Sequence, residues 1–309
     1  MSDEVERWKS LDAASYDDVA EQFDVHSNRL SSAAARRLLD LARVAAGDHV
    51  LDVGTGAGLL PFEIVRSRMP VQSVVGIDIS RGMVAAARKK ADLAAIAPSL
   101  LRFEEMDAEH LAFGDAEFDL ALSAFALTHV PHPDVALAEI YRVLRPGGRV
   151  AIALGSRPPL LSFDGLAHAV REVKRRIERS AGRRLTSDLL DRTIIDAYGP
   201  TPADLPRGSR LSVQLNRAAL LAALVSGAGF TNVQRSWRNY QNEVVTADEF
   251  WDIHRTIRSD ARKRLLDSPD AMVGDVRRRF MEQCRRTLER GGVLTFPISA
   301  VFVVAEKPA

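Results

Sequence analysis

Short apolar runs alternate with longer amphipathic stretches through the first half of the chain. Residues 49–53, 73–78, 118–125 and 149–154 are runs of this kind, bounded by glycine, proline or acidic residues, with a weaker one at 100–104. Runs of this length read as strands buried on both faces. Helical periodicity occupies 57–68, 81–95 and 133–144 between them. The last of these opens with proline in its first turn and stops at Arg145-Pro146-Gly147-Gly148. Ahead of the first strand, 16–23 and 31–44 read as two helices. In the second, Leu30, Ala34, Leu38, Leu41 and Ala45 recur at helical spacing until Gly47. Strands alternating with helices predict an α/β fold with a doubly wound, mainly parallel sheet.

The regularity breaks after residue 155. Helical stretches at 163–180 and 187–197 and a Pro/Gly-rich section at 199–208 come first. A helix at 217–228, a strand at 231–237, a helical insert at 247–289 and a last strand at 298–304 follow. The expected organisation is a single domain over 1–309. It comprises a cofactor-binding core (1–155), a first lid insert (156–214), a return to the sheet (215–245), a second lid insert (246–292) and a closing strand (293–309). Both inserts follow strands, so they can fold over the carboxyl edge where open α/β sheets bind ligands.

Composition narrows the class. With 46% hydrophobic and 27% charged residues, the 309-residue chain is ordinary for a globular protein. One cysteine, Cys284, excludes a disulfide framework and a multi-thiolate metal site, and suits a reducing cytoplasm. The start of the chain is acidic, without a secretory apolar segment, and no run approaches the ~20 residues of a membrane span. The net charge of +1 hides an asymmetry. Residues 1–155 carry 16 Lys/Arg and 23 Asp/Glu, a balance of −7, and residues 156–309 carry the remaining 26 and 18, a balance of +8. The acidic half suits a cationic ligand. The basic half either attracts an anionic acceptor or is a set of solvated helix faces. No aromatic-interleaved basic stripe points to nucleic acid.

The chemistry concentrates at Val50-Leu51-Asp52-Val53-Gly54-Thr55-Gly56-Ala57-Gly58. A dinucleotide fingerprint needs its third glycine at position 59, which is Leu59, and Asp52 would meet a pyrophosphate as a like charge. The pattern therefore favours a nucleoside carrying an ammonium or sulfonium group over a nicotinamide dinucleotide. Asp78 ends the second strand 20 residues past Gly58, where an acid can accept from both ribose hydroxyls. His129 and His132 flank Pro131 with no carboxylate or thiolate cluster beside them, so no metal is expected.

Five ordered motifs carry a family resemblance. They are residues 51–58, Val75-Gly76-Ile77-Asp78-Ile79-Ser80, Met106-Asp107-Ala108-Glu109, Phe118-Asp119-Leu120 with His129-Val130-Pro131, and Arg142-Val143-Leu144-Arg145-Pro146-Gly147-Gly148. Together with Tyr16-Asp17-Asp18-Val19-Ala20 and Ala228-Gly229-Phe230 they make the chain resemble a class I S-adenosylmethionine-dependent methyltransferase of the ubiquinone/menaquinone-biosynthesis branch. The resemblance implies a Rossmann-like seven-stranded sheet with its last strand antiparallel, and S-adenosylmethionine as cofactor. It implies that Asp52, Gly54, Thr55, Gly56 and Gly58 hold the methionine part and Asp78 the ribose. Ile79, Met83, Asp107 and Ala108 would hold the adenine, Ser123, Ala124 and Phe125 would line the methionine end, and Tyr16 would close from the first helix. His129 is the one candidate base.

The expected reaction is methyl transfer to O, N or C of a small, partly apolar, aromatic or anionic acceptor. The alternative is a module that binds the cofactor without moving its methyl group. Phe163, Leu166, His168, Trp237, Tyr240, Phe250, Trp251, His254 and Phe296 are the candidates to reach the acceptor, with most of them expected to be core because aromatics at helical spacing usually are. The inserts differ from those of the quinone-pathway enzymes, so their substrate does not follow from the resemblance, and the oligomeric state is open.

Overall fold

Five strands, β1 (His49–Val53), β2 (Ser73–Asp78), β3 (Leu101–Glu105), β4 (Phe118–Ala124) and β5 (Leu144–Gly155), form the first part of the sheet. The helices of this part are α1 (Ser2–Asp17), α2 (Ala20–Ala42), α3 (Leu59–Arg66), α4 (Arg81–Leu93) and α5 (Pro133–Val143). Next come β6 (Arg184–Leu185), α6 (Leu189–Tyr198), α7 (Arg217–Gly227), β7 (Thr231–Tyr240) and β8 (Glu243–Val244). The chain ends with α8 (Ala247–Ile257), α9 (Ser259–Leu266), α10 (Asp270–Glu289), β9 (Val293–Thr295) and β10 (Ile298–Glu306). This computed structural model describes residues 2–156, 184–200, 217–266 and 268–309, with Ala169, Val170, Val173 and Glu178. The helix expected over 163–180 falls almost wholly outside these residues, as do Phe163, Leu166 and His168.

The main sheet has seven strands in the order β3-β2-β1-β4-β5-β10-β7. Neighbours from β3 to β5 are parallel, and β10 runs antiparallel to β5. This is the expected fold class. On one face of the sheet Leu51, Val53, Val75, Ile77, Ala121, Val150 and Ile152 pack with Leu137 and Ile140 of α5 and Leu221 and Val225 of α7. From β1 the chain winds outward one way to β3, then returns to β4 and winds the other way. The carboxyl ends of β1 and β4 therefore flank a topological switch point, where a crevice opens between diverging loops.

Two local expectations change at the start of the chain. A helix begins at Ser2 rather than Tyr16, and a second one runs unbroken from Ala20 to Ala42. Ser27, Leu30 and Ser31 continue the buried stripe of α2 through the segment expected to be a break, so the apolar face is not interrupted there. The chain turns instead at Asp18 and Val19.

The chain divides into two compact units. The first comprises residues 1–157, 207–238 and 299–309 and contains the seven-stranded sheet; the second comprises 158–206 and 239–298. The second unit is not wholly helical: β6 and β8 flank β9 in a small sheet. Aromatic rings fill its interior. The His254 ring lies 4.2 Å from Phe250, 5.1 Å from Phe280 and 5.2 Å from Phe296, centroid to centroid. Burial pushes His254 down to about 4, so the ring is neutral, and its Nδ1 lies 2.7 Å from the Phe250 carbonyl. Phe250, Trp251, His254 and Phe296, candidates to reach an acceptor, are thus core residues of this unit. Trp237 is buried in the first unit and donates from Nε1 to the Ser156 carbonyl. Among the described residues no helix is long and apolar enough to cross a membrane.

Candidate functional site

The turn after β1 is built from backbone. Gly54, Gly56 and Gly58 all have positive φ (70°, 55° and 87°), a region that L side chains avoid. Gly54 N and Thr55 N both donate to the Ile77 carbonyl of β2, at 2.9 and 2.8 Å, which pins the turn to the next strand. A Cβ at Gly54 or Gly58 would strike Ala126 or Phe62, whereas at Gly56 only Phe23 lies within 4 Å, at 3.8 Å. Gly54 and Gly58 are therefore glycine for packing and conformation. Gly56 leaves open backbone toward the crevice.

Three carboxylates surround this turn. Asp52 is 1% exposed, and its Oδ1 has no hydrogen-bond partner. Burial pushes it up to about 7, with the Thr55 hydroxyl pulling the other way and the charge of Asp78 adding to the rise. No hydrogen bond of ordinary geometry joins Thr55 Oγ1, itself buried and unpartnered, to that carboxylate. Asp78, at the end of β2, accepts from Gly56 N at 2.8 Å through Oδ2 and from Ser80 N at 2.9 Å through Oδ1. Desolvation raises its pKa against those two hydrogen bonds. Each carboxylate oxygen has a second lone pair, so Asp78 can still accept from a ligand. Asp107, after β3, accepts from Glu109 N at 2.9 Å, the capping geometry of the short turn that follows.

Most of the other predicted residues lie at or after the carboxyl ends of β2, β3 and β4. Ile79 is 38% exposed beside Asp78, while Met83 is buried against Ala20, Ala57, Tyr16 and Phe23. Ala108 and Ala124 are half-buried. Phe125 has φ of 63°, unusual for a bulky residue and a mark of strain held by its surroundings; its N donates to the Ala153 carbonyl at 2.7 Å. Ser123 differs, because its buried hydroxyl donates to the Val53 carbonyl at 2.9 Å and ties β4 to β1.

Sequence reading missed the polar face of α1. Lys9, 6% exposed, donates to Asp107 Oδ2 at 2.7 Å and to Glu109 Oε2 at 2.8 Å. Burial pulls its pKa down, but hydrogen bonds to those two carboxylates outweigh that and hold the ammonium charged. Asp17 Oδ1 accepts from Ser80 Oγ at 2.6 Å and from Gly82 N at 2.8 Å. Gly82 is what lets α1 come so near, since a Cβ there would lie 2.6 Å from Asp17 Cα. Asp12 Oδ2 lies 3.2 Å from His129 Nδ1, and the Tyr16 hydroxyl lies 3.4 Å from His129 Nε2. The first helix is thus fastened at three points to the loops after β2, β3 and β4.

Comparison with known proteins identifies the family. A family model described as "Methyltransferase domain" matches residues 51–152. The demethylmenaquinone methyltransferase of Thermus thermophilus is 36% identical over 159 residues, spanning 50% of this chain and 70% of that protein. The ubiquinone/menaquinone biosynthesis C-methyltransferase UbiE of Bartonella bacilliformis is 32% identical over 266 residues, spanning 81% of this chain and 91% of that protein. Among solved structures, the YcgJ protein of Bacillus subtilis superposes with a TM-score of 0.53 at 20% identity, over 89% of this chain and 98% of that one, which speaks for the fold alone. The chain belongs to the class I S-adenosylmethionine-dependent methyltransferases of the ubiquinone/menaquinone type, and S-adenosylmethionine is its methyl donor.

Proposed function

We propose that the crevice around the β1 turn seats S-adenosylmethionine and that the methyl group goes to the ring of a small, quinone-like aromatic acceptor bearing a hydroxyl. The observation that carries the first part is Asp52, a carboxylate 1% exposed at the end of β1 whose Oδ1 has no hydrogen-bond partner, directly before the glycine turn. Buried polar atoms without partners are rare in native proteins and call for an explanation. A cationic amino-acid group seated at the turn would stabilise that buried carboxylate. Asp52, Thr55 and Gly56 would hold the methionine part, Asp78 the ribose, and Asp107, Ala108, Ile79 and Met83 the adenine. Tyr16, Ala124 and Phe125 would close the reacting end. The acceptor class rests on the reactions named for the two relatives.

Bound there, the donor supplies a methyl group on a sulfonium, electrophilic without further activation. The protein's work is to hold the acceptor in line with it, exclude water and manage one proton. His129, 33% exposed at the side chain and next to Tyr16, is the group placed to take that proton. The bond formed is from acceptor to methyl carbon, and the pair of the broken carbon–sulfur bond returns to sulfur.

Asp52 makes donor binding depend on pH. In the free protein its pKa of about 7 means that it keeps a proton over a range, upward from 3.8, in which an ordinary carboxyl has lost it. A cation beside it favours the carboxylate and lowers that pKa. Binding therefore expels a proton between about pH 4 and 7, and affinity rises with pH across this window before levelling off. Calorimetry at pH 6 in buffers of different ionisation enthalpy should show net proton release, absent in Asp52→Asn. Equal heats in both buffers would remove Asp52 from the donor site.

Turnover tests the acceptor. Reduced demethylmenaquinone should be converted to a product heavier by one methyl group, with S-adenosylhomocysteine formed in equal amount. Donor binding without any such product would refute the acceptor class and leave the donor site standing.

A further inference from the structure

We propose that Asp12 is a positioning residue for His129. On this view it fixes the imidazole with its proton on Nδ1, leaving Nε2 bare to receive the acceptor's proton. The inference rests on the reading of His129 as the base given above.

The geometry is that of a carboxylate–imidazole pair assembled from distant parts of the chain. Asp12 and Tyr16 are one helical turn apart on α1, so both face the same side and reach the same ring. Asp12 meets Nδ1 and Tyr16 meets Nε2. The side chain of Asp12 is 6% exposed and that of His129 33%. A buried carboxylate thus lies against one edge of the ring while the other edge meets the half-buried Tyr16.

Asp12 Oδ2 lies 3.2 Å from Nδ1, close enough for a small rotation of either side chain to align an Nδ1–H···O bond, and an ionised carboxylate only accepts, so the pair favours the Nδ1–H tautomer. Nε2 is then left as the acceptor, held by the Tyr16 hydroxyl until a substrate hydroxyl replaces it. When that hydroxyl gives its proton to Nε2, the ring becomes an imidazolium with Asp12 already beside it. This is the orienting and charge-stabilising role that a third group plays in catalytic triads. The electrons released on the acceptor form the bond to the methyl carbon, the proton on the methylated ring carbon moves to the ring oxygen, and the imidazolium gives the first proton up to solvent. No further reactant is needed.

Asp12 is placed firmly enough for the task. Lys9, three residues before it, is anchored on Asp107 and Glu109, and Asp17, five residues after it, on Ser80 and Gly82. The His129 end is set by its own backbone N, which donates to the Ala126 carbonyl at 2.8 Å.

Nitrogen NMR of protein labelled on histidine tests this without any acceptor. Neutral His129 should show a protonated Nδ1 and a bare Nε2 in the wild type, and the intrinsically favoured Nε2–H form in Asp12→Ala. A wild-type ring protonated on Nε2, or a tautomer unchanged by Asp12→Ala, would overturn the proposal. Asp12→Asn, which keeps the shape, gives the second readout with reduced demethylmenaquinone. Its kcat should fall by roughly 10²-fold, as for loss of an acid–base contribution, while affinity for the donor stays within about threefold. Loss of donor affinity matching the loss of kcat would mean that Asp12 only holds α1 in place. If the wild type does not turn over this acceptor, the acceptor class falls, and the tautomer still decides the role of Asp12.

Discussion

Asp78→Ala should weaken S-adenosylmethionine binding more than any other single change in the crevice, by roughly 10²- to 10³-fold. The substitution removes two things at once. A carboxylate accepting from two ribose hydroxyls makes charge-assisted hydrogen bonds, each worth about 1.5–3 kcal/mol. The same side chain accepts from Gly56 N and Ser80 N, so its loss also frees the glycine turn and the first turn of α4. Asp78→Asn separates the two effects. An amide has one oxygen for two backbone N–H groups and presents its NH2 to the other, so a loss of about tenfold or more is expected even with the size conserved. Calorimetric titration of the three proteins measures both. Affinity in Asp78→Ala within threefold of wild type would place the ribose elsewhere.

The second large effect falls on stability. Gly54→Ala puts a methyl carbon 2.1 Å from the Ala126 Cβ at a residue with φ of 70°. Neither neighbour is the end of a flexible side chain, so backbone must move in the turn after β1 or in the loop after β4. Left-handed strain and overpacking cost about 1–3 kcal/mol each, giving an expected loss of about 4 kcal/mol in the first unit. Gly47→Ala is the control. Its φ of 82° carries the same backbone penalty, but a Cβ there meets nothing within 4 Å, so about 1 kcal/mol is expected. Denaturant unfolding followed by the signal of the first unit compares the two. Equal losses would show that contact with Ala126 contributes nothing.

Much of the first unit was legible in the sequence because its strands are buried on both faces. β1 and β2 have the bounds their apolar runs predict, with polar residues only at His49, Asp52, Ser73 and Asp78. The glycine turn and Asp78 stood out for a related reason, since bare backbone and an acid at adjacent strand ends form a pattern that few other roles require, whereas Asp107 stood out only through the family motifs. The polar face of α1 was not legible. Lys9, Asp12 and Asp17 sit in an acidic, weakly patterned segment, and their partners lie 63 to 117 positions away, so no local signal announces them. Gly82 held a clue in its small size within a helix, but only the approach of α1 explains it. The aromatics of the second unit were ambiguous for the opposite reason. Rings at helical spacing look the same whether they line a pocket or interlock as Phe250, Phe280 and Phe296 do around His254.

A crystal structure of the complex with S-adenosylhomocysteine tests the donor site most directly. The account predicts both ribose hydroxyls within hydrogen-bond distance of the Asp78 carboxylate, the amino-acid nitrogen over the turn at Gly56 near Asp52, and the adenine beside Asp107. An adenosyl group bound away from the β1 turn, with Asp52 and Asp78 untouched, would contradict it.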